Sequence, residues 1–474
     1  MRVLPNTPGP ARRNRMSSLS ASLWIAERAL QATQGALDVT TNNIANASTP
    51  GYSREEAILN ETSPIDRGNI EYGTGVDLQQ ITSVRDEVLS LRIAQETQQQ
   101  SSSQAQANAL QQVQGLFSSS TSGIGADLTA FFNSLSQLST NPTSTPDRQA
   151  VLNSAQNLAS DFNNAASNLN TITSGLNQTV GQSVTQINTL SQQIAQVNGQ
   201  VAVLKKEGQD PGTLEDQENQ LINQLSQLTN VSETQTPDGL TLTTGNGAPL
   251  VVGNQSFSLQ TSLNSSGNVS VLSQGQDITS TISGGSLGGT IQVRDTVIPG
   301  LMTQLNNLAS QFATAINSAQ SSGYDLNGNE GQAMFSVTPG AGAAASLSVA
   351  ITDPSLIAAS SDGSAGSNGN VANLLAVQTQ ALPGGADPGD TYANIVSQVG
   401  NLTSQAQANA DASTSSLTQL NNQLGSISGV SIDEETTNLM NYQRSYEAAA
   451  RMVTTVDALT QAVLQMGASA PTAP

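Results

Sequence analysis

Three consecutive acidic residues, Asp433, Glu434 and Glu435, form the tightest group of side chains that could do chemistry. Carboxylates this close together can bind a metal ion or act as a general acid and base. However, Ser431 and Glu434 have the spacing of a helix capping box, and carboxylates in a first turn offset the positive end of the helix dipole. We therefore interpret the cluster as the start of a helix.

Two other motifs are similar to ligand-binding loops. The run that begins at Asp325 resembles a calcium loop, but Glu330 stands where that loop needs glycine and Ser336 where it needs a bidentate glutamate. We interpret it as a tight surface turn. The glycine-rich run 284–289 lacks the lysine and the strand–helix context of a phosphate-binding loop.

The chain contains no Cys and no His. It therefore cannot form disulfides or a Cys-based metal site, and it lacks the usual general base and the commonest zinc ligand. We predict no catalytic residue, no metal site and no cofactor, and we expect that the chain is not an enzyme. One enzymatic alternative stays open, a secreted cell-wall hydrolase that uses paired carboxylates.

The composition favours elongated domains over one globule, because only 11% of the 474 residues are charged and 3% are aromatic. The formal net charge of -20 opposes binding to nucleic acid or to an anionic membrane surface. No stretch approaches the roughly 18 to 20 apolar residues of a membrane span. We expect residues 1–15 to be a disordered extension, with Met16 the true beginning, and residues 468–474 to be a disordered tail.

Both ends of the chain carry apolar or small residues at alternating steps of three and four. A repeat of about 3.5 residues is the seam of a supercoiled helix, so the two ends are predicted to pair as a coiled coil. Trp24 lies off this stripe and favours a second contact surface. We predict an assembly interface formed by Leu19, Leu23, Trp24, Leu30, Leu37, Ile44, Leu439, Tyr442, Tyr446, Val453, Val456, Leu459 and Val463.

Long helices are predicted between these ends. Thr145, followed by proline, is the expected N-cap of the longest one. Gly208 and the Pro-Gly pair at 211–212 break that helix, and Thr213 is the expected cap of a second, which completes a helical hairpin. Short Val-, Leu- and Thr-rich runs separated by turn residues then predict strands from about Val231.

The predicted fold is therefore mainly α with a β insertion, in an elongated, multidomain rod. Residues 16–60 and 430–467 form the terminal coiled-coil domain, and residues 61–230 and 290–429 an inner bundle of long helices. Residues 231–289 form a small β-rich outer domain, which we place at the far tip of the rod.

Two runs of residues also resemble known proteins. The segment 40–54 closely resembles the N-terminal signature shared by bacterial flagellar rod, hook and hook-associated proteins. The segment from Ser428, the helix 214–221 and the turn 322–328 are similar to the first hook-associated protein family, with Glu218 where arginine is usual. The family-signature residues are Asn42, Asn43, Ile44, Asn46, Pro50, Gly51, Tyr52, Asp433, Glu434 and Glu435.

This resemblance implies a structural adaptor at the junction between hook and filament, required for filament assembly. It also implies type III secretion to the extracellular flagellum and terminal helices that form an inner tube. The implied partners are further copies in a ring or helical assembly, the hook protein, the second junction protein (hook-associated protein 3) and an export chaperone, but neither nucleic acid nor membrane. A flagellar hook or rod axial protein, or a secreted adhesin or filament cap carried by the β-domain, are the alternatives.

Overall fold

The computed structural model describes residues 10–67, 70–117, 123–236, 239–340 and 342–468. Its first helix, α1 (Pro10–Asn46), packs along its last helix, α11 (Ile432–Ala468). The predicted mainly helical fold with paired ends and a β insertion is confirmed.

Helix α1 begins at Pro10, so the expectation that residues 10–15 are disordered is wrong. Proline suits the first turn of a helix, and the alanine and arginines that follow it favour helix. The rest of the predicted extension, residues 1–9, and residues 469–474 of the predicted tail lie outside the described residues.

A two-stranded antiparallel ribbon follows α1 and packs on it. Strands β1 (Glu55–Glu61) and β4 (Val76–Ser83) pair along their length, and β2 (Ile65–Arg67) and β3 (Ile70–Tyr72) extend the ribbon. The ribbon faces a second buried stripe of α1, formed by Ala32, Ala36, Val39 and Asn43. Residues 61–83 therefore belong with α1, whereas the sequence interpretation assigned them to the helical bundle.

The helical bundle forms the body of the rod. Its longest helix has 62 residues, which corresponds to about 90 Å at about 1.5 Å per residue. Four phenylalanines, Phe131, Phe132, Phe312 and Phe335, pack edge to face in its core. The helices are α2 (Glu87–Phe117), α3 (Ile124–Thr140), α4 (Thr145–Lys206), α5 (Gly212–Leu228), α6 (Gly285–Gln292), α7 (Ile298–Ser321), α8 (Ala343–Ser346), α9 (Gly369–Ala376) and α10 (Pro388–Ser428).

The hairpin of α4 and α5 forms as predicted, but neither expected cap is correct. Ser144 is the N-cap of α4, because its Oγ accepts the N–H of Asp147 at 3.3 Å. Helix α5 begins before Thr213, and Asp210 accepts the N–H of Gly212 at 3.1 Å.

The β insertion contains two antiparallel sheets that lie along α4. One has the order β5 (Val231–Thr236), β6 (Gly239–Thr244), β7 (Ala248–Val252) and β8 (Gln255–Ser256); the other has the order β11 (Gln276–Asp277), β10 (Val269–Ser273) and β9 (Leu259–Leu263). Two further short strands, β12 (Phe335–Ser336) and β13 (Ser348–Val349), pair with each other.

Three asparagines of α4 bind the backbone of these strands. Asn177 accepts the N–H of Val269 at 2.9 Å, and Asn188 bonds both backbone groups of Leu259. Asn198 accepts the N–H of Leu240 at 2.9 Å and donates to its carbonyl at 2.7 Å. The insertion is therefore attached to the side of α4, and its predicted place at the far tip is wrong.

The turn that begins at Asp325 exposes Asn327, Gly328, Asn329 and Glu330, whereas the Asp325 side chain is buried. Its Oδ1 accepts the backbone N–H groups of Asn327 and Asn329 at 2.8 and 2.9 Å. The predicted tight surface turn is therefore present, and its one buried carboxylate is satisfied by the turn itself.

Candidate functional site: the terminal helix pair and its connector

The seam between α1 and α11 is lined largely by small side chains. Ala26, Thr33 and Thr40 of α1 and Ala449 and Val456 of α11 are buried. Such a seam lets the two helices approach closely, but it buries little of the large apolar surface that the two ends carry.

The predicted interface residues fall into two groups. Those partly buried in or beside the seam are Leu19, Leu30, Leu37, Ile44, Leu439, Tyr442, Val453 and Val463. Those left exposed are Leu23, Trp24, Tyr446 and Leu459. Met452, Met440 and Leu464, which the repeat did not select, are also exposed. Because large apolar side chains are usually covered, the helix pair has the surface of an incomplete bundle.

Residues after α1 form a connector, which we define as the segment 43–56. Asn43 holds it to the helix, because its side chain donates to the carbonyl of Glu55 at 2.8 Å and accepts the N–H of Glu55 at 2.9 Å. The Tyr52 hydroxyl also donates to Asn43 Oδ1, at 2.8 Å. A carboxamide is needed here because it both donates and accepts.

The chain reverses direction at Pro50 and Gly51. Asn46 Nδ2 donates to Asn42 Oδ1 at 2.8 Å, and Thr49 donates to Asn46 Oδ1 at 3.2 Å. Gly51 has a φ of 79°, a left-handed conformation that favours glycine. The signature residues therefore fix the path from α1 into the ribbon.

A charged network joins the connector to the helical bundle. Asp216 of α5 accepts the N–H and the Oγ–H of Ser53 at 2.8 and 2.7 Å, and it binds Arg85 Nη2 at 2.9 Å. Arg85 also binds Glu215 and the carbonyl of Gly212. The sequence gives no sign of this network, because 163 residues separate Ser53 from Asp216 and no periodicity links the two positions.

The acidic cluster lies in the first turn of α11, where the capping interpretation placed it. Ser431 Oγ accepts the N–H of Glu434 at 3.4 Å, and Arg54 lies 3.9 Å from Glu434. Glu435 is buried and Asp433 is exposed. Burial, followed by the negative charges of Glu55, Asp216 and Glu435, raises the pKa of the Tyr52 hydroxyl. Residues from both ends of the chain thus meet at the connector.

A cleft of about 790 Å³ lies between the connector, α2, α5 and α10. Carboxamide side chains dominate its walls: Asn219, Gln220, Asn223, Gln224 and Asn421. Arg85 and Asp216 bind each other there, and Asp86 caps α2 by accepting the N–H of Leu89 at 2.9 Å. The Ser53 hydroxyl, which also lines the cleft, donates to Asp216 as part of the network that holds the connector, so the cleft lies where the helices are positioned.

The described residues contain neither a cluster suited to a metal ion nor a helix suited to a membrane. No group of three or more acidic, His or Cys side chains in that part of the chain is arranged to hold a metal ion. None of the described helices combines the length and the hydropathy needed to span a bilayer.

Comparison with known proteins gives flagellar matches along most of the chain. The model of the Flagellar hook-associated protein FlgK helical domain matches residues 110–335. Models of the flagella basal body rod protein and of the Flagellar basal body rod FlgEFG protein C-terminal match residues 23–52 and 425–466. The solved flagellar hook junction protein FlgK from Burkholderia pseudomallei has the same fold, with a TM-score of 0.65, 19% identity, and coverage of 71% of this chain and 100% of that one.

Paired termini, a rigid connector and exposed apolar surface define a structural subunit of the flagellar type. The flagellar hook-associated protein 1 of Bacillus subtilis is 31% identical over 95% of this chain and 98% of its own length. That of Escherichia coli is 26% identical over 94% and 100%. The chain belongs to the flagellar hook-associated protein 1 family. It is a hook-associated structural component of the extracellular bacterial flagellum.

Proposed function

We propose that this chain is a non-enzymatic adaptor that joins the flagellar hook to the filament and on which the filament assembles. The observation that carries the proposal is that α1 packs along α11 and that residues from both ends of the chain meet at the connector. This arrangement fixes the direction of the helix pair relative to the helical bundle. Subunits with one fixed geometry can stack with a constant register.

The helix pair is the assembly surface in this proposal. Its exposed apolar side chains are covered by neighbouring subunits, and the pair forms an inner tube with the bundle around it. The partners are further copies of the chain in a ring or helical assembly, the hook protein on one side and a second junction protein, hook-associated protein 3, on the other. Before assembly, a type III export chaperone covers the same apolar surface.

The alternatives have less support. The hairpin of α4 and α5 is a feature that a hook or rod protein lacks, and the family match includes it. The tightest acidic cluster lies in the first turn of α11, which Ser431 caps, and this position accounts for the cluster without a hydrolase. In this proposal the β insertion forms the outer surface of the adaptor.

Electron microscopy of a deletion strain tests the proposal. We expect hooks without filaments and flagellin released into the medium, with both defects reversed by the wild-type gene. Filaments of normal length on the deletion strain would refute the adaptor function. Loss of wall hydrolysis with normal filaments would support the hydrolase instead.

A further inference from the structure

A groove between the two terminal helices exposes the only tryptophan of the chain. The groove has a volume of about 310 Å³, and its apolar lining includes Leu19, Leu23 and Trp24 of α1 and Val463 and Leu464 of α11. Trp24 is 62% exposed and stacks with Arg28 at 5.9 Å. Tryptophan at the mouth of an apolar groove is typical of protein interfaces.

The same helix pair carries a ridge, which we define as Met452 and Leu459 of α11. These side chains are 49% and 50% exposed. Seven residues correspond to almost two helical turns, so both lie on one row along the helix.

The ridge and the groove lie on opposite sides of the helix pair. At about 100° per residue, Leu459 lies about 60° from the buried Val456 in one direction, and Leu464 lies about 80° from it in the other. One molecule therefore cannot place its own ridge in its own groove.

Exposed charges on the two sides include groups of opposite sign, although Glu447 lies between Arg444 and Arg451, and Arg28 stacks on Trp24. Arg444 and Arg451 flank the ridge on the side away from the seam. On the groove side, Glu27 is one turn from Leu23, and Asp457 is two turns from Leu464. Within the part of the chain that the structure describes, none of these four residues forms an ion pair.

We propose that the ridge of one copy of this chain packs into the groove of the next copy, with Arg444 and Arg451 facing Glu27 and Asp457. This inference rests on the proposed assembly function and names the surfaces through which two copies make contact. The second copy is the occupant because this chain itself presents both the complementary shape and the complementary charge, continuous with the paired helices. A contact between two different surfaces is heterologous, so it generates a ring or a helix and not a closed two-fold dimer.

Cross-linking in assembled flagella tests this contact, because the chain has no native cysteine. We expect Trp24→Cys with Leu459→Cys, treated with a short bis-maleimide, to give a ladder of dimers and higher multimers on a denaturing gel. Trp24→Cys with Met440→Cys is the matched control, since Met440 is similarly exposed but lies on another face of α11. Filaments without a ladder, or an equal ladder from the control, overturn the inference while the adaptor function stands.

A charge exchange keeps the inference testable if the cysteine variants do not assemble. We expect Arg451→Glu to lower the number of filaments per cell by about tenfold at low salt, because it places like charges in contact. Adding Glu27→Arg in the same chain should restore most of the filaments. A single variant that matches wild type, or a double variant no better than the single, overturns the contact.

Discussion

Glu218 should make the stability of the helical hairpin depend on pH near neutrality. Its side chain is 6% exposed, and its Oε1 has no hydrogen-bond partner in the described part of the chain. Burial, with smaller contributions from Glu215 and Glu233 and an opposing one from Lys205, raises the pKa of Glu218 to about 7. The ordinary value is 4.5, which is also the value expected in the unfolded chain.

The size of the effect follows from linkage. A raised pKa means that the folded state binds the proton more tightly, so the free energy of unfolding is highest below pH 4.5 and falls until about pH 7. One pKa unit corresponds to about 1.4 kcal/mol, so a rise from 4.5 to about 7 corresponds to roughly 3 kcal/mol. Glu218→Gln keeps the volume of the side chain and removes this titration.

Urea unfolding at pH 5, 6, 7 and 8, with amide exchange over residues 198–244 as a local probe, measures the difference. We expect wild type to lose about 2.5 kcal/mol more than Glu218→Gln across this range, since part of the effect is already lost at pH 5. Other carboxyl groups titrate in both proteins and cancel in the comparison. Glu207→Gln, at an exposed position of the same hairpin, is the control and should follow wild type. Parallel curves for wild type and Glu218→Gln would refute the reasoning.

Three other substitutions test the connector and the helix starts. Asp216→Ala leaves the partly buried guanidinium of Arg85 with one acidic partner fewer, so we expect a loss of about 3 kcal/mol and fast amide exchange at Ser53. Unchanged exchange would contradict the network. Asn43→Ala removes the hydrogen-bond partner of the Glu55 N–H and carbonyl, so we expect thermal unfolding to show a loss of about 1–3 kcal/mol in the free energy of unfolding. Ser144→Ala should cost about 1 kcal/mol in urea unfolding, whereas Thr145→Ala should cost clearly less, since only Ser144 accepts a capping hydrogen bond.

The parts of the fold that sequence predicted are those with a local periodic signal. The alternating steps of three and four revealed α1 and α11, and turn residues marked the strands of the β insertion. The second buried stripe of α1 was missed because it consists mainly of Ala32, Ala36 and Val39, whose small side chains give a weak hydrophobic pattern. The cap of α4 was misplaced by one residue, because serine and threonine can both cap and only geometry distinguishes them.

The candidate site was predictable only in part. The signature around Asn43 and Pro50 marked the connector through a family resemblance, yet nothing in the residues alone indicated its hydrogen bonds. Ser53, Arg85 and Asp216 come together through tertiary folding over long separations, which no window of sequence detects. Leu459 and Trp24 were selected as interface residues, whereas their positions on opposite sides of the helix pair required the structure.

The row of asparagines on α4 has a consequence for how the outer surface can vary. Asn177, Asn188 and Asn198 are spaced by close to three helical turns, and each binds main-chain groups of the strands. Asn188 and Asn198 bind the main chain alone, whereas Asn177 also bonds the side chains of Asn268 and Arg294. Main-chain attachment does not depend on which side chains the strands carry. Solvent-facing side chains on the strands that Asn188 and Asn198 hold can therefore vary without loss of these hydrogen bonds, and the insertion stays attached to the same helix.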